Sequence, residues 1–176
     1  MAIVKRRTVT YKEGADIAPA NLTQPKIESF AAEVAKCVYF DVGQSVAKLV
    51  DMLGGRIQYQ ELDEILEESG SIFVHAKNDF DILLPHYTSP VRDHFTVAHE
   101  LGHYFLHADQ GGVPLIAYRS GSTRIEWEAN WFAAALLMPK TEFTAAVKEI
   151  ADDTAIASKF AVSPAAVRVR KNALGL

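Results

Sequence analysis

The chain has 176 residues, of which 49% are hydrophobic and 23% are charged, and its formal net charge at pH 7 is −4. These values indicate one globular domain with a buried core, and they give no global attraction to nucleic acid. The single cysteine, Cys37, excludes an internal disulfide and indicates a reducing compartment. Its apolar helical surroundings predict a small buried side chain. No apolar run is long enough for a signal peptide or a membrane span, so we expect a cytoplasmic protein that does not contact a membrane.

The N-terminal half predicts an arm, two helices and a small sheet. Residues 1–22 are expected to form a solvated arm, and Thr23, followed by Pro25, begins the first helix. The second helix carries apolar residues from Val42 onward and stops at Gly54-Gly55. Strands are expected at three short runs, 56–60, 71–77 and 81–85. The last run, DILLP, is also taken as an exposed edge onto which an extended substrate segment could pair.

The C-terminal half predicts helices. Ser89 and Pro90 begin one that runs to about His107, and another spans 123–137. Thr141 caps a third, and the tail forms two short helices joined at 161–162, with Ser163 as the second cap. The order of elements predicts an α+β fold with a small mixed or antiparallel three-stranded sheet packed on helices. We expect a core over residues 23–140 and a helix-turn-helix-like segment over 141–176 that packs on it.

The stretch HFTVAHELGHYFLH, residues 94–107, contains four of the six histidines. Within it, HELGH (99–103) has the form H-E-x-x-H. On a helix, residues four apart differ by about 40° in direction and 6 Å in height, so His99 and His103 can reach one metal ion. Glu100 can lie beside that ion without ligating it, which is the position of a general base. The alternative is a helix whose histidines are hydrogen-bonded and bind no metal.

A catalytic zinc site needs a third protein ligand. His107 lies about 12 Å along the helix axis from His99, too far to share a tetrahedron, and is expected to have an outer or surface role. In TRIEWEANWFAAALLMP, Glu126 lies at the edge of the apolar face and is favoured as the ligand over Glu128, which lies about 160° around the helix. Asn130, one turn beyond Glu126, is predicted to fix the tautomer of His99. A solvated Glu126 is the alternative.

The two stretches HFTVAHELGHYFLH and EWEANWFAAALLMP together resemble the ImmA/IrrE family of zinc metallopeptidases. The resemblance covers nearly the whole chain and is most specific over residues 89–140. It implies a zincin-like (gluzincin) fold with one zinc ion, Glu100 as the general base, and three ligands: His99, His103 and Glu126. It also implies that the protein cleaves a protein partner, often a helix-turn-helix repressor encoded nearby, and thereby relieves repression.

The expected reaction is zinc-dependent hydrolysis of a peptide bond. Zinc lowers the pKa of a bound water towards about 7. Glu100 then takes a proton from that water and later delivers one to the leaving amine. Tyr118 and His94 are candidate donors to the oxyanion. The sequence places neither of them at the site, and a buried or surface role is the alternative for each.

Two other functions remain open. The tail could be a DNA-binding helix-turn-helix, whose cations are Lys159, Arg168, Arg170 and Lys171. The turn lacks glycine and follows an acidic pair, which favours a tail that packs on the core or docks a partner. The other function is a non-catalytic zinc module, which would need a fourth protein ligand. The candidates for it lie at unsuitable spacings: Cys37, His107 and Asp109.

Overall fold

The computed structural model describes residues 17–60, 71–86, 88–118 and 123–176. The elements in these ranges are α1 Gln24–Cys37, α2 Val46–Met52, β1 Gly55–Gln60, β2 Ser71–Ala76, β3 Asp79–Pro85, α3 Pro90–Leu106, β4 Leu115–Tyr118, α4 Arg124–Leu137, α5 Lys140–Glu149, α6 Asp153–Phe160 and α7 Pro164–Leu174. The α+β class is therefore confirmed. Residues 1–16 of the predicted arm lie outside the described ranges. Within those ranges, none of the helices has the length and apolar character needed to cross a bilayer.

The four strands form one mixed sheet in the order β1-β3-β2-β4. Ile82 of β3 lies opposite Ile57 of the parallel strand β1 and opposite Ile72 of the antiparallel strand β2. Ala117 of β4 lies opposite Ile72 on the other side of β2. The prediction of three strands is wrong. The fourth strand, β4, pairs with β2, which is distant in the sequence, and local sequence patterns do not indicate such pairing. The predicted edge position of residues 81–85 is also wrong, since β3 is paired on both sides and offers no free edge.

The long helix α3 begins where Ser89 and Pro90 predict it. The Ser89 hydroxyl accepts a hydrogen bond from the Arg92 N–H at 3.3 Å. Pro90 occupies the first helical position, where a missing N–H has no cost. Every residue from 96 to 104 is buried. This helix therefore runs through the middle of the molecule, and the HELGH motif lies in its buried part.

Aromatic side chains fix α3 to the elements around it. The rings of Phe30, Phe105 and Phe132 join α1, α3 and α4, with centroids 5.6 to 6.2 Å apart. On the sheet side, the ring of Tyr104 packs against Phe80 of β3 at 4.5 Å. α3 is thus held between the sheet and α4, which leaves little freedom for the orientation of its histidines.

The backbones of α3 and α4 approach each other closely at Gly102. A Cβ atom at this position would lie 2.9 Å from the Ala129 Cα atom and 3.0 Å from the Ala129 carbonyl oxygen. Both distances are shorter than an ordinary van der Waals contact. The glycine of HELGH therefore lets the backbones of the two helices approach each other.

The C-terminal helices pack on the rest of the chain. Phe143 of α5 and Phe160 of α6 have their ring centroids 5.4 Å apart. Arg170 of α7 is 2% exposed. Its Nε donates to the Met138 carbonyl at 3.1 Å and its Nη1 to Glu28 Oε1 at 2.7 Å. The last helix is therefore tied to α1 and to the end of α4.

Three local predictions are wrong. α2 begins at Val46, because Gly43 has φ 78° and Ser45 is the extended residue before the helix. α5 begins directly after Pro139, so Thr141 lies inside the helix and does not cap it. Cys37 is exposed, because it lies about 90° around α1 from the centre of the buried stripe. That stripe consists of Ile27, Ala31 and Val34.

Candidate metal centre

His99 and His103 of α3 meet Glu126 of α4 at one point. The Nε2 atoms of the two histidines lie 3.1 Å apart. The Glu126 carboxylate spans both rings, with Oε2 at 3.1 Å from His99 Nε2 and Oε1 at 3.3 Å from His103 Nε2. All three residues are buried, and one ligand atom from each lies within 4.8 Å of the others. The structure thus brings together the three residues that the sequence analysis assigned to a metal.

The spacing of these atoms fits a tetrahedral zinc ion. Zn–N and Zn–O bonds of roughly 2.0–2.2 Å place the ligand atoms of a tetrahedron about 3.3–3.6 Å apart. The two Nε2 atoms are 3.1 Å apart, and each lies 3.1 or 3.3 Å from the nearer oxygen of the Glu126 carboxylate, which is Oε2 for His99 and Oε1 for His103. Two imidazoles and a carboxylate are also a donor set of catalytic zinc sites, which keep the fourth position for water or substrate. The donor atoms present therefore fit this metal.

The position of Glu126 follows from the start of α4. The Thr123 hydroxyl caps this helix by accepting from the Glu126 N–H at 3.4 Å. Thr-x-x-Glu has the form of a capping box, in which the glutamate side chain turns back to the cap residue. Here that side chain reaches across to His99 and His103 instead. Burial would raise the pKa of Glu126, but the adjacent imidazoles of His103 and His99 outweigh it and lower the pKa to about 2. The carboxylate is therefore held ionised.

Glu100 and Asn130, the predicted base and the predicted partner of His99, are both in the described part of the chain. Glu100 follows His99 on α3 and is 1% exposed, so its carboxyl group is shielded from bulk water. The Nδ1 atom of His99 lies 3.0 Å from Asn130 Oδ1. Because a side-chain amide oxygen only accepts, His99 carries its proton on Nδ1, and the lone pair of Nε2 faces the cluster. This is the tautomer that can bind a metal.

The two candidate oxyanion donors are placed differently. His94 is half-buried on α3, about 7.5 Å along the axis and 140° around the helix from His99. Burial lowers the pKa of His94. It therefore points to a different side of α3 from the cluster, which argues against a role as the oxyanion donor. Tyr118 ends β4, but its side chain lies outside the described part of the chain, so its role stays a prediction.

Glu128, which the sequence analysis set aside in favour of Glu126, lies in a second buried group behind His103. His107 Nδ1 is 3.0 Å from His103 Nδ1, and His107 Nε2 is 3.2 Å from Glu128 Oε2. The side chains of His107 and Glu128 are both 0% exposed. Burial, with repulsion from His103, outweighs the attraction of Glu128 and lowers the pKa of His107 to about 4. His107 is therefore neutral at pH 7, and it lies outside the cluster of His99, His103 and Glu126.

Comparisons with known proteins give a family and a fold. A family model described as the IrrE N-terminal-like domain (Peptidase_M78) matches residues 59–172, which include all the residues of the cluster. No curated protein sequence matches the chain. Among solved structures, a Mycobacterium tuberculosis transcriptional regulator is similar, with 18% identity and a TM-score of 0.56 over 84% of this chain. The chain spans 46% of that protein, so this likeness shows the fold alone. Because the family match covers well over half of its residues, the chain belongs to the IrrE N-terminal-like domain (Peptidase_M78) family, as its resemblance to ImmA/IrrE proteins indicates.

Proposed function

We propose that the protein is a zinc-dependent endopeptidase that hydrolyses a peptide bond in a protein partner. One observation carries this proposal: two imidazole nitrogens and a carboxylate meet at separations of 3.1 to 3.3 Å beside a buried glutamate. His99, His103 and Glu126 would hold the ion. When bound, zinc activates a water molecule as a nucleophile and polarises the carbonyl that is attacked.

The protein side chains supply the proton transfers and the orientation. Glu100 accepts the proton of the attacking water and then delivers a proton to the leaving amine. Its burial keeps bulk water from competing for that proton. Asn130 holds the ring of His99 with Nε2 directed at the cluster. The ionised Glu126 offsets part of the charge that a divalent cation brings into this buried place.

The partner that we propose is a helix-turn-helix repressor encoded nearby, whose cleavage would relieve repression. Membership of the family supports action on a protein. The description of the similar Mycobacterium tuberculosis protein as a transcriptional regulator is compatible with a role in transcription. A substrate segment cannot pair with β3. An outer strand of the described sheet, β4, remains for such pairing, and it ends shortly before α4, the helix that carries Glu126.

The alternative, a DNA-binding regulator, loses support from the C-terminal helices. α6 and α7 have the outline of a helix-turn-helix, and the Ser163 hydroxyl caps α7 by accepting from the Ala166 N–H at 3.2 Å. However, Arg170 is buried against Glu28. Lys171 Nζ bonds Asp153 Oδ1 at 2.6 Å. Two of the four predicted DNA-contacting cations are therefore used inside the fold, which favours a tail that packs on the core.

The test is Glu100→Gln, measured with the repressor-like protein encoded beside this gene. The variant should keep its fold and its zinc, because Glu100 is not a ligand, and it should lose cleavage of that protein. Glu142→Gln makes the same chemical change at an exposed position of α5 and should cleave as the unmodified protein does. Cleavage by Glu100→Gln at the unmodified rate would refute the proposed mechanism.

A further inference from the structure

The second nitrogen of His103 leads into a chain of buried hydrogen bonds. His103 Nδ1 lies 3.0 Å from His107 Nδ1, and His107 Nε2 lies 3.2 Å from Glu128 Oε2. We call His107 and Glu128 the relay. Neither residue belongs to the three-residue cluster, and the side chain of each is 0% exposed. Buried polar groups of this kind require hydrogen-bond partners to be tolerated, so the arrangement of their protons is strongly constrained.

The protons can be assigned along the whole chain of bonds. Glu128, as a carboxylate, only accepts, so His107 carries a proton on Nε2 and donates it to Glu128. A His103 that binds zinc through Nε2 would carry its proton on Nδ1 and donate it to the lone pair of His107 Nδ1, which lies 3.0 Å away. With its proton on Nδ1, His103 presents the lone pair of Nε2 to Glu126 and His99. Each contact from His103 Nδ1 to Glu128 has one donor and one acceptor, so the relay is matched to the tautomer of His103 that can bind a metal.

Glu128 is itself held by two elements. Its Oε1 accepts from Arg124 Nε at 2.9 Å, and its Oε2 accepts from the Ala20 N–H at 2.8 Å. Arg124 Nη2 also donates to the Leu22 carbonyl. The carboxylate is therefore fixed by its own helix and by the segment before α1. A fixed acceptor in turn fixes the ring of His107, and through it the ring of His103.

We propose that His107 and Glu128 are positioning residues that hold His103 in the tautomer and orientation needed for metal binding. This inference rests on the metal site of the proposed function but not on its peptidase activity. It gives the two histidine ligands separate supports, since His99 is oriented by Asn130. Changes in such outer partners typically weaken metal binding roughly 10–100-fold.

The test measures zinc affinity on the folded chain by competition with a chromophoric chelator. His107→Leu removes the acceptor for His103 Nδ1–H, and we expect its zinc affinity to fall about 10–100-fold. His107→Gln keeps an amide oxygen that can accept this proton, so it should recover most of the affinity. Arg170→Met is the matched control, because it also removes a buried, hydrogen-bonded polar side chain. Met138, which Arg170 contacts, lies about 12 Å along the α4 direction from Asn130, so zinc affinity should not change.

Nitrogen NMR of the zinc-loaded, unmodified protein tests the same proposal without a mutation, and so it serves if His107→Leu does not fold. The expected result is a proton on Nδ1 of His103 and on Nε2 of His107. A proton on Nδ1 of His107, or unchanged zinc affinity in folded His107→Leu, would overturn the relay. Failure of the peptidase proposal would give a different result from failure of the relay. Glu100→Gln would then still cleave the partner, while the zinc affinities of the His107 and Arg170 variants would keep the order stated above.

Discussion

Gly102→Ala should separate the two helices that build the metal centre. The new Cβ would lie 2.9 Å from Ala129 Cα and 3.0 Å from the Ala129 carbonyl oxygen. Carbon atoms prefer separations of about 3.5–4.0 Å, so α3 and α4 must move apart locally by roughly 0.5 Å or more. Metal sites tolerate errors in ligand distance of only about 0.2 Å. The shift moves Glu126 away from His99 and His103, because the carboxylate and the imidazoles lie on opposite sides of this contact.

Two energies oppose each other in this variant. Replacing glycine by alanine inside a helix is worth about 1 kcal/mol in helix propensity. Overpacking of a closely packed contact costs about 1–3 kcal/mol. We therefore expect the free energy of unfolding of the metal-free protein to fall by about 1 kcal/mol, as measured by urea denaturation. Zinc affinity should change more than stability does and fall by about tenfold or more. A tenfold loss is the lower end of the range seen when residues that orient metal ligands are changed.

A second substitution tests the geometric reason. Ala129→Gly removes only a methyl group, which lies 3.3 Å from the new Cβ, and leaves the two closer backbone atoms in place. The double variant Gly102→Ala, Ala129→Gly should therefore bind zinc as weakly as Gly102→Ala alone. Zinc affinity restored by the double variant would show that the helices are not held by backbone contact. A more stable Gly102→Ala with unchanged zinc affinity would refute the whole argument.

Three further variants test the centre and the ion pairs of the fold. Glu126→Gln should weaken zinc binding more than about 100-fold, beyond the usual range for outer partners, as measured by chelator competition. Burial would raise the pKa of Asp81, but hydrogen bonds from Arg56 and from His75 of β2 lower it. The ionised Asp81 carboxylate therefore stabilises the fold above about pH 3.9, the pKa of an aspartate in the unfolded chain. This stabilisation is lost as the pH falls through the lower pKa of the folded state. Asp81→Asn should reduce the free energy of unfolding by about 0.5–1 kcal/mol at pH 7, and the difference should shrink below pH 4; a constant difference would exclude this origin. Arg170→Met should reduce the free energy of unfolding by about 2 kcal/mol at pH 7, since it removes the cation paired with Glu28, whose side chain is 17% exposed; an unchanged midpoint in urea would contradict this.

Local signals predicted the helices around the site, and long-range pairing decided the sheet. Ser89 and Pro90 fixed the start of α3 because capping is decided within one turn. β4 has four residues, and only its pairing with β2 makes it a strand. The interior position of β3 has no local signal either, because burial alternates along Ile82-Leu83-Leu84 and only the long-range pairing with β1 and β2 places this strand inside the sheet.

The role of Glu128 was missed for a related reason. The helical wheel places Glu126 and Glu128 on different sides of α4, and the preference for Glu126 rested on its position at the edge of the apolar face. After these residues the segment ANWFAAALLMP is apolar nearly all round, which is typical of a helix enclosed by its neighbours. α4 packs on both α1 and α3, and Ala20 closes over Glu128. Both carboxylates are therefore buried, and only their partners separate their roles.

The row of histidines on α3 ties the metal centre to the packing of two helices. The row consists of three histidines at one-turn intervals: His99, His103 and His107. Two carboxylates of α4 contact them, Glu126 the first two and Glu128 the third. A metal bound to the pair joins α3 to α4 directly, so it must stabilise the folded chain by an amount that grows with the ratio of free metal to its dissociation constant. Because the same interface orients the ligands, a substitution that loosens it lowers both stability and metal affinity. A substitution in the relay should instead reduce metal affinity more than it reduces the stability of the metal-free protein, since its effect on the ion passes through the tautomer of one ring.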